Sequence, residues 1–139
     1  MPTSKVTYLG DLRTSSIHLQ SGTEIISDAP IDNNGKGEAF SPTDTVANGL
    51  ATCMLTVMGI KARDLDVDFS GSTAEVTKIM GTEPRRITEI QVTFNMNLVA
   101  DDKTKTILER TAMTCPVFYS LHPDIKKEIV FNWNSETFK

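Results

Sequence analysis

The stretch from Ser41 to Arg63 most limits what this chain can fold into. Ser41 fits the N-cap of a helix and Pro42 its first position, and Asp44 falls three residues after the cap. That is a capping box with Asp in place of the usual Glu. Val46, Leu50, Met54, Val57 and Met58 then recur on one face at helical spacing. Ala47, Ala51, Leu55 and Ile60 carry apolar character round much of the remaining circumference. A helix apolar on most sides is a core helix, covered by a sheet or by another chain. Internal Asn48, Gly49 and Gly59 and the charges at its end make it a poor membrane span. Cys53, seven residues after Val46 and four before Val57, faces the same interior, so one thiol lies mid-helix.

At 139 residues the chain reads as one domain, 1–139, long enough to bury roughly two thirds of its unfolded surface. With 39% hydrophobic and 23% charged residues, its composition excludes a disordered or fibrous class. A formal net charge of -4 disfavours a phosphate-binding face, and neither a nucleic-acid nor a membrane partner is expected. No apolar run follows Met1, and there are two cysteines, which together point to a reducing, cytoplasmic setting.

Three short β-prone runs, Lys5–Leu9, Ser16–Leu19 and Glu24–Ser27, are separated by turn signals at Gly10-Asp11 and Ser21-Gly22. A polar loop from Asp28 to Ala39 leads into the capped helix. Beyond the helix, 67–79 and 87–99 read as long strands around a turn at Gly81–Arg86. Ile90, Val92, Phe94, Met96 and Leu98 alternate with mostly polar neighbours, so one face is buried. Asp101 or Asp102 can cap a second helix carrying Ile107, Leu108, Thr111, Ala112 and Cys115 along one stripe. Pro116 breaks it and starts a short helical turn, and Glu128–Trp133 closes the chain as a strand. The order β-β-β-α-β-β-α-β predicts an α+β fold, an antiparallel sheet with a long central helix. The central helix has more apolar surface than a small sheet can cover, which predicts an obligate homodimer.

Cys115 sits differently from Cys53, at the start of a helical turn where backbone N–H groups can lower a thiol's pKa. Both cysteines lie on inward helical faces and can meet if their helices pack together. The plain alternative is that both are small core residues, since free Cys is among the most buried residue types. Two Cys and two His (His18, His122) show no metal-ligand spacing, so no metal is expected. A reactive thiol needs its thiolate stabilised, most simply by a guanidinium. Arg85 and Arg86 lie at a strand turn, and Arg110 stands in a charged pair with Glu109. Arg63 is about 15 Å along the helix from Cys53. Arg13, placed in the first loop and free to point inward, remains the foremost candidate. Gly35-x-Gly37 is neither a dinucleotide loop nor a Walker sequence.

Several motifs run through the chain in one order: Asp28-Ala-Pro, Gly35-Lys-Gly-Glu38, Ser41-Pro-Thr-Asp, Ala-Thr-Cys53-Met-Leu-Thr-Val-Met-Gly-Ile-Lys-Ala, Pro84-Arg-Arg-Ile and Thr-Cys115-Pro116-Val. In these the chain resembles the OsmC/Ohr family, nearer its OsmC-like branch than its organic hydroperoxide resistance branch. The resemblance implies an intertwined homodimer with sites at the interface. It also implies a cysteine peroxidase that reduces organic hydroperoxides, and hydrogen peroxide less well. Cys53 then matches the peroxidatic cysteine, Cys115 the resolving one, and Arg13 the arginine that holds thiolate and peroxide. A dithiol or a lipoylated protein is the implied reductant, with no metal, flavin or haem. One departure stands out. Many members carry a glutamate that pins the arginine where this chain has Thr43, leaving Glu38 or Asp44 to substitute. The competing expectations are a dimeric stress or binding protein with buried cysteines, and a redox sensor that uses the pair without turnover.

Overall fold

The protein is described by a computed structural model covering residues 1–135. The chain divides into two compact units, Met1–Val46 and Ala47–Lys139. The first contains three antiparallel strands in the order β1 (Ser4–Gly10), β2 (Arg13–His18) and β3 (Glu24–Asp28). A two-residue turn joins β1 to β2. Asp11 and Leu12 both have positive φ, 53° and 65°, the twist that a tight hairpin demands. That tight turn corrects the sequence reading of Arg13 as a loop residue: it is the first residue of β2, not a position free to swing.

Helix α1 (Pro42–Asp64) starts in the first unit and runs on into the second. Its capping box forms as the sequence predicts. The Asp44 N–H donates to Ser41 Oγ and the Ser41 N–H donates back to Asp44 Oδ2, both at 3.0 Å. The helix is long and apolar enough by composition to cross a membrane, yet Ala47, Leu50, Ala51, Met54, Met58 and Ala62 are buried in the core of the second unit. Asp66, at φ 58°, turns the chain out of the helix.

The second unit holds a separate sheet, β4 (Thr73–Gly81), β5 (Arg86–Met96) and β6 (Lys126–Trp133), with α2 (Asp102–Ala112) and α3 (Pro116–Ser120) on the connection from β5 to β6. Ile90, Val92, Phe94 and Met96 are at most 1% exposed, so the alternation read from the sequence is the core face. Two expectations are corrected. The strands form two sheets, and β6 runs parallel to β5, because a chain that crosses back through two helices re-enters the sheet in the same direction. The strand read as starting at Val67 starts at Thr73. Asp68 Oδ1 accepts the Ser70 N–H at 2.9 Å, Gly71 takes φ 90° and the Ser72 N–H closes onto the Phe69 carbonyl, so the chain turns between 69 and 72 before the strand begins. Asp101 caps α2 by accepting the Thr104 N–H at 2.8 Å. The Trp133 indole donates to Glu109 at 2.8 Å and ties β6 to α2, while Phe94 and Phe131 stack across the parallel pair.

Candidate functional site

Two clusters gather ionisable side chains, one in each unit. In the second unit, Cys53 lies mid-way along α1, half-buried and packed against the core, and Cys115 is the fully buried N-cap of α3. Pro116 sets this up. It stops α2 from continuing and supplies the first residue of the next turn, so Cys115 takes extended backbone with its sulfur over the turn. There Cys115 Sγ accepts the Phe118 N–H at 3.3 Å. Burial pushes the Cys115 thiol up. The Phe118 N–H pulls it down, and Cys53 adds to the rise. The two cysteines come from separate helices into the same core, and both are free. Met54, Val57, Val117 and Phe118 supply apolar surroundings.

In the first unit, Arg13 and Asp28 are direct cross-strand partners, at the start of β2 and the end of β3. Arg13 Nε donates to Asp28 Oδ1 at 2.7 Å and Arg13 Nη2 to Asp28 Oδ2 at 2.8 Å, a bidentate fork. Nη2 also donates to Glu38 Oε1 at 2.8 Å, and the Glu38 N–H donates to Asp28 Oδ2 at 3.1 Å. Nη1 has no partner among the described residues. Hydrogen bonding to Asp28, then to Glu38, holds the Arg13 guanidinium far above its ordinary range, and the same bond from Arg13 holds Asp28 below the usual carboxylate range.

The loop that returns Glu38 to this pair depends on its glycines. A Cβ on Gly35 would lie 1.7 Å from the Ala29 carbonyl oxygen, and one on Gly37 would lie 2.6 Å from the Ile31 side chain at φ 65°. The Gly35 N–H closes the turn onto Pro30 and the Gly37 N–H closes it onto Ala29. The Gly35-Lys-Gly-Glu38 motif thus serves to fold Glu38 onto Arg13, not to hold a phosphate.

Of the two carboxylates left open by Thr43, Glu38 contacts Arg13, whereas Asp44 is engaged in the capping box. The principal partner, Asp28, is not among the residues that the sequence singles out for this role. Its only trace in the sequence is the Asp28-Ala-Pro motif, because strand register is not visible there. Arg86 donates to the Thr82 and Pro84 carbonyls, and Arg63, Arg85 and Arg110 are exposed. His18 bonds Ser21, and His122 accepts the Asp124 N–H, both on the surface. Among the described residues no group of three His, Cys, Asp or Glu is arranged for a metal. An open groove of about 750 Å³ beside Leu55, Gly59, Ile60, Arg63 and Phe69 contains neither cysteine.

Residues 35–130 match the sequence profile of the family described as OsmC-like protein. A crystal structure from Psychrobacter arcticus 273-4, provisionally described as an osmotic stress induced and detoxification response protein, is 60% identical, with 95% of this chain and 96% of that one covered and a TM-score of 0.93. The fold also matches the organic hydroperoxide resistance protein OsmC of Legionella pneumophila, at 13% identity, coverage of 95% and 98%, and a TM-score of 0.70. That of Elizabethkingia anophelis matches at 14% identity, coverage of 96% and 98%, and a TM-score of 0.73. No curated protein matches the chain in sequence. With a profile that spans most of its length and a relative of such identity, the chain belongs to the OsmC-like family.

Proposed function

We propose that this protein is a homodimeric cysteine peroxidase that reduces organic hydroperoxides through a Cys53/Cys115 thiol–disulfide cycle. The observation that supports this reading is that two free thiols, one half-buried and one fully buried, reach one core from separate helices. The Cys53 thiolate attacks the distal oxygen of the hydroperoxide. The O–O bond breaks, the sulfur is oxidised by two electrons to the sulfenic acid, and the alkoxide leaves as alcohol after taking a proton. Cys115 then condenses with the sulfenic acid, which forms the S–S bond and releases water. A dithiol restores both thiols by two exchanges and leaves as its own disulfide. Arg13 stabilises the thiolate and the charge that develops on the departing oxygen, with donors fixed beforehand by Asp28. The apolar shell of Met54, Val57 and Phe118 favours an alkyl hydroperoxide over hydrogen peroxide.

Steady-state consumption with dithiothreitol as reductant tests the reading, with cumene hydroperoxide expected to outpace hydrogen peroxide by at least about tenfold, equivalent to about 1.4 kcal/mol. A disulfide formed without turnover would mark a redox sensor instead. Thiols unchanged by peroxide would mark a binding or stress protein with a thiol core.

The dimer is part of the same proposal. No large apolar side chain of the first unit is buried, and Val6, Tyr8 and Leu9 are exposed on edge strand β1, a surface that water does not favour and an edge open to pairing. Val46 and Ile60 of α1 are likewise exposed. A second copy, intertwined through these surfaces, covers them and buries on the order of 2,000 Å² or more. Sedimentation at micromolar concentration is expected to show a dimer. A stable, folded monomer there would rule the arrangement out.

A further inference from the structure

We propose that the reductant enters the cycle at Cys53, through a gap that Gly49 leaves open one turn earlier on α1, and that Cys115 is always the sulfur expelled. The inference rests on the reading that the two cysteines form a disulfide, and deepens it by assigning the sulfur attacked. Thiol–disulfide exchange is an in-line displacement, so the incoming sulfur needs a clear approach to one sulfur from the side opposite its partner. Cys115 offers none. It is 0% exposed, and its burial comes from its own chain, within a core that includes Leu108, Ala112 and Met54. Cys53 is half-buried, with one side on that core. Its Cα–Cβ bond tilts toward the helix N-terminus, over the turn that holds Gly49, four residues back on the same face. A Cβ built on Gly49 meets nothing within 4 Å. Thr52 and Thr56, which flank Cys53 on the helix surface, are both exposed. A glycine inside a helix costs about 1 kcal/mol against alanine, and no packing in the second unit requires one at this position.

The step balances as follows. A thiolate of the dithiol attacks Cys53 Sγ, the bond to Cys115 breaks as the new S–S bond forms, and Cys115 leaves with the electron pair and takes a proton. The second thiol of the reductant then attacks its own sulfur in the mixed disulfide and frees Cys53. Leaving-group chemistry opposes this direction, because burial raises the Cys115 thiol and a more basic thiolate leaves more slowly. The Phe118 N–H, which donates to Cys115 Sγ, offsets part of that. Access outweighs both, since a sulfur without exposed surface presents no line of attack.

The test starts from wild type oxidised with diamide, so it does not depend on peroxide turnover. Glutathione is added, the reaction is acid-quenched at early times, free thiols are blocked, and the mixed disulfide is mapped by peptide mass spectrometry. The adduct is expected on Cys53 over Cys115 by at least about tenfold, falling to about twofold or less in concentrated urea, where burial is lost. Gly49→Leu fills the gap with a better helix former and should slow reduction by dithiothreitol about tenfold, whereas Gly59→Leu on the same helix should leave it at the wild-type rate. An adduct on Cys115 or on both sulfurs of the folded protein, a preference that survives urea, or a wild-type reduction rate in Gly49→Leu overturns the entry. The adduct map needs no variant, so it decides the matter even if Gly49→Leu folds poorly. If the adduct sits on Cys53 but no hydroperoxide is consumed, the entry stands and the peroxidase reading falls. If hydroperoxide is consumed and the adduct sits on Cys115, the peroxidase reading stands and the entry falls. If diamide forms no Cys53–Cys115 disulfide, both fall.

Discussion

Cys53→Ser is expected to abolish hydroperoxide consumption, and Cys115→Ser to consume about one equivalent per site and then stop. A neutral serine hydroxyl cannot replace the thiolate as nucleophile at neutral pH, so the first variant has no entry into the cycle. The second performs the first step and is stranded as the sulfenic acid, or climbs to the sulfinic acid with excess oxidant. Wild type treated with one equivalent of cumene hydroperoxide should lose two hydrogens in intact mass and link Cys53 to Cys115. The pH dependence of that closure follows from the site. Cys115 attacks as thiolate, and burial holds its pKa above the ordinary thiol value, so disulfide closure should still be accelerating with pH at about 8.5. A closure rate that levels off in the neutral range would mean that Cys115 is not the attacking thiol. Free thiols at both positions after peroxide would reduce the pair to core packing.

The parts of this arrangement legible in the sequence are those written in short-range periodicity. The capping box of Ser41 and Asp44, the buried face of α1 and the alternation from Ile90 to Met96 each announce themselves within one element. Strand direction and register do not. Nothing between Asn97 and Ile125 states that β6 will lie parallel to β5, although the helices on that connection make a hairpin impossible. In the sequence Arg13 reads as a loop residue because the turn before it closes on Leu12, a residue that seldom accepts positive φ and gives no turn signal. Asp28 escaped for the same reason one step on. A carboxylate fifteen residues from its arginine becomes a partner only once β2 and β3 are in register. The glycines of the returning loop were visible, but their use was not, because it depends on the Ala29 carbonyl and the Ile31 side chain that they pass.

Asp28→Asn is expected to lower hydroperoxide turnover by about 10²-fold while leaving the thiol pair competent. The substitution keeps the shape of the side chain but sets an N–H₂ donor against the guanidinium donors, so one of the two parallel bonds is lost and the fork slackens. Arg13→Lys should cost at least as much, because a point charge cannot make the bidentate contact. Diamide oxidation should still yield the Cys53–Cys115 disulfide in Asp28→Asn, which separates loss of arginine positioning from loss of fold. The stability of the variant carries a second signature. Asp28 binds protons less readily folded than unfolded, so its contribution is present above the unfolded carboxylate value of about 3.9 and lost as pH falls through the lower folded value. Arg13, whose value is raised far above the accessible range, keeps its charge throughout and adds no slope. Urea midpoints of wild type and Asp28→Asn should therefore differ by a constant amount above about pH 5 and converge below about pH 4. Parallel curves across that whole range would mean that the Arg13–Asp28 pair does not hold in solution, and the positioning of the arginine would then have to come from elsewhere.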